Sequence, residues 1–331
     1  MMDSSETERE LRAIHAALER PPTAEEIVED VTGACVTVQD AVRYSVSCFA
    51  AHQVFVGHGT DNYWDEALEL VQAVMHLQPP CDESTLRSRL TRRELQLLAS
   101  LLKLRIFARI PVPYLTQRAF FCGREFYVDR RVLIPRSPLA ELIENRFNPY
   151  IDRPPARVLD LCTGSGCIAI SIALQFDGET EVDAVDISQD AIAVCTRNIE
   201  TYELEELVTP ICSDLFDALP EGDRYDLIVA NPPYVGSEEL EALPEEYLHE
   251  PDIALRAGER GLELARRILR QASSYLSEAG VLIMEVGESE DALVDAYPQV
   301  PFHFVDLRRG GRGVFMLTCE QLRAFADMFD L

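Results

Sequence analysis

Seven short apolar runs, each bounded by turn residues, constrain this chain more than any other feature. They are Arg157–Leu161, 182–187, Val208–Cys212, 226–230, 281–286, 302–306 and 313–318, with helical patterns beginning near Cys167, Gln189, Gly261 and Ser289. Strands alternating with helices predict an α/β fold, a mostly parallel sheet covered on both faces. The last two runs are joined only by the short turn Arg309-Gly310-Gly311-Arg312. A parallel crossover needs about a dozen residues or more, so the final strand is predicted to be antiparallel.

Open sheets of this kind bind ligands at the carboxyl ends of their strands. The first run continues into Leu159-Asp160-Leu161-Cys162-Thr163-Gly164-Ser165-Gly166-Cys167. Small residues there let the backbone pass close to a ligand and let the next helix pack tightly on its strand. Asp160 is expected at the cofactor site, with a cap or turn as the other reading, and Cys162 and Cys167 read as packed small residues, not nucleophiles. Asp186 ends the second run, where a carboxylate can accept both hydroxyls of a ribose. Ser213-Asp214 ends the third; Asp214 suits an adenine amino group, with Leu215 packing the ring. The dinucleotide fingerprint G-x-G-x-x-G and the phosphate loop G-K-[ST] are both missing, and Lys103 is the only lysine. Acidic groups without basic ones predict a cofactor that carries no phosphate, S-adenosylmethionine. No metal site is expected.

The fourth run stops at Asn231-Pro232-Pro233-Tyr234. Proline has no N–H for a sheet ladder and fixes φ, so the strand ends there and a stiff loop begins. The loop offers an amide, rigid carbonyls and an aromatic face at the same sheet edge. That set suits a planar NH₂ group, either a carboxamide or the exocyclic amine of a base. The Asn231 side-chain oxygen and the Pro232 carbonyl can each accept one N–H, aiming the nitrogen lone pair toward a methyl donor. Tyr234 can stack on the planar acceptor. No strong base is required.

Upstream, residues 1–110 read as a bundle of helices. Leu11, Ile14 and Leu18 recur at helical spacing within 6–20. Thr23 precedes Glu25-Glu26, and 38–55 is amphipathic. Thr60 or Asp61 is expected to cap a helix running from Tyr63 to about Leu77, stopped by Pro79-Pro80. A further helix covers 91–109. His58 and His76 are isolated and expected to be structural. From 111 to 133 the texture is that of a linker. Pro111-Val112-Pro113-Tyr114-Leu115 is expected to be non-helical, and 120–128 reads as a hairpin around Gly123. A helix over 139–147 follows Ser137-Pro138, and residues 134–331 form the cofactor domain.

The formal charge is −27 over 331 residues. Such a surface repels nucleic-acid phosphates and attracts basic partners; adaptation to salt is the plainer reading. No nucleic-acid specificity is expected. No run approaches the roughly 18 apolar residues of a membrane span, and the acidic start lacks a signal-peptide core. Nine dispersed cysteines without a CxxC pair suggest free thiols in a reducing cytoplasm.

Asp160 to Gly166 together with Asn231-Pro232-Pro233-Tyr234 resembles the class I, Rossmann-like S-adenosylmethionine-dependent methyltransferases that modify planar NH₂ groups. Further stretches narrow this. They are Phe-Val-Gly-His-Gly-Thr-Asp-Asn-Tyr-Trp-Asp at 55–65, 113–115 with 120–128, Ile-Pro-Arg-Ser-Pro-Leu-Ala-Glu-Leu-Ile at 134–143, and 247–264. They resemble the glutamine methyltransferases of the third large-subunit ribosomal protein. The sister family acting on release factors has Ile-Pro-Arg-Pro-Asp-Thr-like residues at 134–139 and usually Gly at the position of Cys162. The resemblance spans nearly the whole chain. It implies methyl transfer from S-adenosylmethionine to a glutamine side-chain nitrogen of that ribosomal protein. It puts Cys162, Thr163, Gly164, Ser165, Gly166, Asp186, Asp214, Leu215 and Asn231 around the cofactor and Asn231 to Tyr234 around the glutamine. The helical region and hairpin would help to dock the protein substrate. A release-factor methyltransferase is the alternative, with a nucleic-acid adenine methylase behind it.

Overall fold

The computed structural model describes residues 4–78, 80–220, 222 and 224–329. The chain divides into two units, Met1–Thr116 and Gln117–Leu331. The first contains α1 (Ser4–Glu19), α2 (Ala24–Gly33), α3 (Val38–Ala51), α4 (Tyr63–Val74), α5 (Glu83–Arg87), α6 (Arg92–Phe107) and α7 (Val112–Thr116). Thr23, Thr37 and Thr91 open α2, α3 and α6 with reciprocal capping boxes to Glu26, Asp40 and Glu94. Each box satisfies donors that a helix start otherwise leaves unpaired. Ile27, Val42, Phe49, Leu70, Leu98 and Leu102 form the core of this unit. A buried ion pair lies among them: Arg105 donates to Glu66 and to the carbonyl of Phe55. Thr60 also donates to Glu66, at 3.3 Å, so the 55–66 stretch is tied to α6.

Four local expectations are corrected here. The α4 cap is Asn62, which accepts from Asp65 N at 2.9 Å, because it is the residue directly before the first turn. Thr60 serves Glu66 instead. Residues 112–116 are helical despite their prolines, since Pro111 and Pro113 sit where first-turn N–H groups have no intrahelical partner. α3 and α4 stop short of Phe55 and Leu77 because Gln53 and His76 turn left-handed, at φ 49° and 56°; Pro79 lies outside the described residues. Leu11 and Ile14 have the right spacing but are each 47% exposed, and the side chain of Leu18 lies outside the described residues.

The second unit opens with the hairpin β1 (Arg118–Phe121) and β2 (Arg124–Tyr127), then α8 (Leu139–Glu144). The sheet follows as β3 (Arg157–Leu161), α9 (Cys167–Gln175), β4 (Glu181–Asp186), α10 (Gln189–Thr201), β5 (Val208–Cys212), β6 (Tyr225–Ala230), α11 (Ser237–Ala242), α12 (Glu263–Tyr275), β7 (Leu276–Glu285), α13 (Glu290–Ala296), β8 (His303–Phe304), β9 (Val314–Thr318), α14 (Cys319–Ala324) and α15 (Ala326–Phe329). Strand order is β5-β4-β3-β6-β7-β9-β8. Pairings from β5 through β7 are parallel, whereas β9 is antiparallel to both its neighbours. This is the expected mostly parallel sheet with an antiparallel last strand. Its insertion between β7 and β8 was not legible from turn length. β8 has two residues where five were expected, as an edge strand with one partner.

Alternate strand residues feed two cores. Val158, Val182, Leu227, Val229 and Ile283 pack with α8 and α9 on one face. Leu159, Val185, Ile228, Leu282 and Leu317 pack with α12 and α14 on the other. Both faces are therefore apolar, and only the strand ends are left for chemistry. The hairpin is fastened to this unit by Asn198 of α10, whose side chain accepts from Tyr127 N and donates to Tyr127 O, at 2.9 and 3.0 Å. Among the described residues no helix is long and apolar enough to cross a membrane.

Candidate active site

The carboxyl ends of β3, β4, β5 and β6 open on a cavity of about 270 Å³, near the small end of the range for small-molecule sites, roughly 300–1,000 Å³. Cys162, Thr163, Gly164 and Ser165 form its floor. The loop is bent by left-handed residues, Cys162 at φ 60°, Gly164 at 54° and Gly166 at 80°. Gly166 caps α9, and a β-carbon there would come within 2.6 Å of Cys195 Sγ, so no larger residue fits. At Gly164 the space a β-carbon would enter is open, which lets a ligand lie directly on the backbone. Burial and the nearby Asp186 raise the Cys162 thiol well above its ordinary value. It is therefore a packed thiol and no thiolate nucleophile.

Asp160 does not line the cavity. It lies under the loop, fully buried, and its Oδ2 accepts from Thr163 Oγ1 at 2.6 Å and from Ala169 N at 3.2 Å. Its Oδ1 is buried without a hydrogen-bond partner. Burial pushes the carboxyl up to about 7. Asp160 shapes the loop from below, joining its start to the first turn of α9.

Asp186 is at the cavity wall. One oxygen accepts from Gly164 N at 3.0 Å and the other from Ser188 N at 2.9 Å. A carboxylate has about four acceptor sites, so both oxygens can still take ribose hydroxyls. Burial raises its pKa despite these N–H bonds. Asp214 and Leu215 line the same wall, Leu215 in a left-handed conformation at φ 51°. Asp214 pairs with Arg267 of α12 at 2.9 Å.

Asn231 and Pro233 line the cavity from the end of β6, while Pro232 is buried behind them. Tyr234 is not a lining residue. Its hydroxyl donates to Glu285 at 2.9 Å, and its carbonyl accepts from Ser289 Oγ at 2.9 Å. Nine of the thirteen residues expected at the site thus share one cavity, the exceptions being Asp160, Gly166, Pro232 and Tyr234.

The expected absence of basic groups is corrected: Arg131, Arg136, Arg256 and Arg267 all line the cavity. Each is held by a carboxylate, Asp129, Glu250, Asp252 and Asp214 respectively. Their charge is answered locally, so the site still offers no bare cationic cradle. Arg136 and Glu250 form a two-pronged pair, at 2.6 and 2.7 Å, and Glu250 also accepts from Ile134 N at 3.0 Å. This joins the 134–143 and 247–264 stretches. The returning segment brings Pro251, Ile253 and Ala254 to the cavity, held by Val235 N to Leu255 O at 2.9 Å and Ala257 N to Val235 O at 3.0 Å. No local pattern marks these residues. Only the unexplained density of family-like residues at 247–264 hinted at a role.

The methyltransferase small domain family matches residues 141–258. Over 303 residues the chain is 43% identical to the ribosomal protein uL3 glutamine methyltransferase of Francisella tularensis, covering 91% of this chain and 96% of the relative. It is 44% identical over 288 residues to the protein of that name from Bordetella pertussis, covering 86% of this chain and 96% of the relative. Among solved structures it is similar to the T. Thermophilus 16S rRNA N2 G1207 methyltransferase, with 22% identity and a TM-score of 0.41 over 61% of this chain and 49% of the other.

Proposed function

This chain belongs to the ribosomal protein uL3 glutamine methyltransferase family, and from that premise we propose that it methylates the side-chain amide nitrogen of a glutamine in uL3, with S-adenosylmethionine as donor. What supports the reading is that one cavity is lined both by Asp186, whose oxygens have acceptor sites left for a ribose, and by Asn231 and Pro233 at the end of β6. The open space over Gly164 and the paired state of the arginines suit a nucleoside without phosphates.

When bound, S-adenosylmethionine supplies an electrophilic methyl group. Asp186 would hold the ribose hydroxyls, and Asp214 and Leu215 the adenine edge and face. A glutamine amide nitrogen is a weak nucleophile because its lone pair is delocalised into the carbonyl. The chain's task is therefore alignment, which supplies much of the acceleration of an in-line displacement. Asn231 Oδ1 and the Pro232 carbonyl would accept the two amide N–H groups, fixing the plane of the amide and the direction of its lone pair. Accepting both N–H groups also favours positive charge developing at the nitrogen, and one of these protons would then leave to solvent to give the neutral N-methyl amide. Tyr234 would close the aromatic side of the turn. We place the reaction in the cytoplasm, where ribosomal proteins are made; all nine cysteines stand free, as a reducing compartment leaves them.

The test is transfer of a labelled methyl group to purified uL3 and, in parallel, to a release factor, with the product mapped by mass spectrometry. One methyl group on a uL3 glutamine is expected. Labelling of the release factor alone would overturn the substrate assignment.

A further inference from the structure

We propose that Glu285 is a positioning residue for this reaction, locking Tyr234 of the Asn-Pro-Pro-Tyr turn to Ser137 of the Ile-Pro-Arg-Ser-Pro turn so that the two walls keep one geometry. The inference rests on the glutamine-methylation reading above and deepens it. Glu285 ends β7, beside β6, and is 3% exposed. Its Oε1 accepts from the Tyr234 hydroxyl at 2.9 Å and its Oε2 from Ser137 Oγ at 2.5 Å. Burial raises the Glu285 pKa, while the Ser137 and Tyr234 hydroxyls and the nearby Arg136 pull it back down; in the ionised form both bonds are charge-assisted, the stronger class of protein hydrogen bond.

A buried carboxylate is costly unless its partners answer the charge. An apolar side chain of similar size would fill the same place, but it would leave the Ser137 and Tyr234 hydroxyls without their acceptor and the turns unconnected. Each hydroxyl belongs to a turn with residues on the cavity. Ser137 lines it directly beside Arg136, and Tyr234 follows Asn231 and Pro233. Ser137 Oγ also accepts from Leu139 N at 3.2 Å, so the same atom sets the start of α8.

The Tyr234 ring also lies close against Gly287. Gly287 sits at φ 48°, and a β-carbon there would come within 2.4 Å of the ring. Ser289 Oγ bonds the Tyr234 carbonyl. Glycine at 287 thus leaves room for the ring, Ser289 holds its backbone, and Glu285 holds its hydroxyl end. Methyl transfer is sensitive to such placement, because a misalignment of about 1 Å at the reacting centre can cost on the order of 100-fold in rate.

The experiment is a double-mutant cycle on uL3 methylation with Glu285→Gln, Tyr234→Phe and their combination, alongside calorimetry with S-adenosylmethionine. Gln keeps the volume of Glu but has only one acceptor oxygen for two hydroxyls. Each single variant is expected to lower kcat roughly tenfold, with cofactor affinity within about twofold. The double variant is expected to be no slower than the slower single, because both cut the same link. Effects that multiply, or a Glu285→Gln enzyme with unchanged kcat, would overturn the inference. Should Glu285→Gln fail to fold, a cycle of Tyr234→Phe with Ser137→Ala asks the same question. Non-additive losses are expected from coupling through the shared carboxylate, and additive ones overturn it. Wild-type turnover on uL3 is measured first. Its absence would overturn the functional reading and this inference with it, whereas wild-type turnover with unaffected variants overturns this inference alone.

Discussion

Asp160 shows how one residue can trade stability for geometry. Its carboxyl is buried, one oxygen has no partner, and its pKa stands at about 7, against about 3.9 in an unfolded chain. Between those values the folded state holds a proton that the unfolded state has released. Stability from this residue therefore falls as pH rises through that window. Asp160→Asn keeps an oxygen for Thr163 and Ala169 and removes the charge. Thermal unfolding of the variant should show a gain over wild type at pH 8 that shrinks toward pH 5; an equal effect at both would refute the buried charge. Asn231 and Asp186 separate differently. Asn231→Ala should lower kcat by about 100-fold or more while cofactor affinity stays within a few-fold. Asp186→Ala should weaken cofactor binding by roughly tenfold or more, as loss of a charged acceptor does. Calorimetry beside turnover reads both, and the opposite pattern would exchange their roles.

Among elements, the turns matter more than the helices and strands. The Ile134 to Pro138 turn has little regular structure, yet it is held at Ile134 and Arg136 by Glu250. The Glu250 side chain is fully buried and that of Arg136 is 23% exposed. Breaking a buried pair costs about 3–5 kcal/mol, and the partial exposure of Arg136 lowers that toward about 2 kcal/mol. Glu250→Ala should therefore lower the melting temperature by several degrees and raise the KM for uL3. A variant with wild-type melting and KM would show that the clamp is dispensable. Residues 134–143 and 247–264 were visible in the sequence as stretches that resemble the family. Their joining was not, since nothing local at Glu250 says that it will reach Arg136, 114 positions away along the chain. Pro111 to Leu115 went wrong for a related reason. Proline excludes the helix interior, but whether it sits in an interior or a first turn depends on where the helix begins.

For the molecule as a whole, the charge of −27 is the dominant long-range property. A ribosomal protein that presents positive charge to RNA would be drawn toward such a surface at low salt. The association rate with uL3, measured by stopped flow, should then fall steeply as salt rises. A rate independent of salt would leave salt adaptation as the reading of the acidic composition. Charge alone does not describe the cavity, where four arginines each meet a carboxylate. None of the four lies in the strand-end motifs from which the acidic site was read, and a lack of lysine says nothing of arginine, so the site read as entirely acidic.

The sequence by itself determined the alternation of strands and helices, the antiparallel last strand, and the carboxyl-end residues from Cys162 to Ser165, Asp186, Asp214 and Asn231. These follow from short-range rules: period, turn length, and the refusal of proline to continue a strand. It could not determine that Asp160 would lie beneath the loop and Tyr234 against Glu285, nor that β9 would enter between β7 and β8. The first two depend on which buried polar groups find each other, and the third on which strand edge β9 pairs with. Pairing of that kind is settled by distance in space, to which spacing along the chain is no guide.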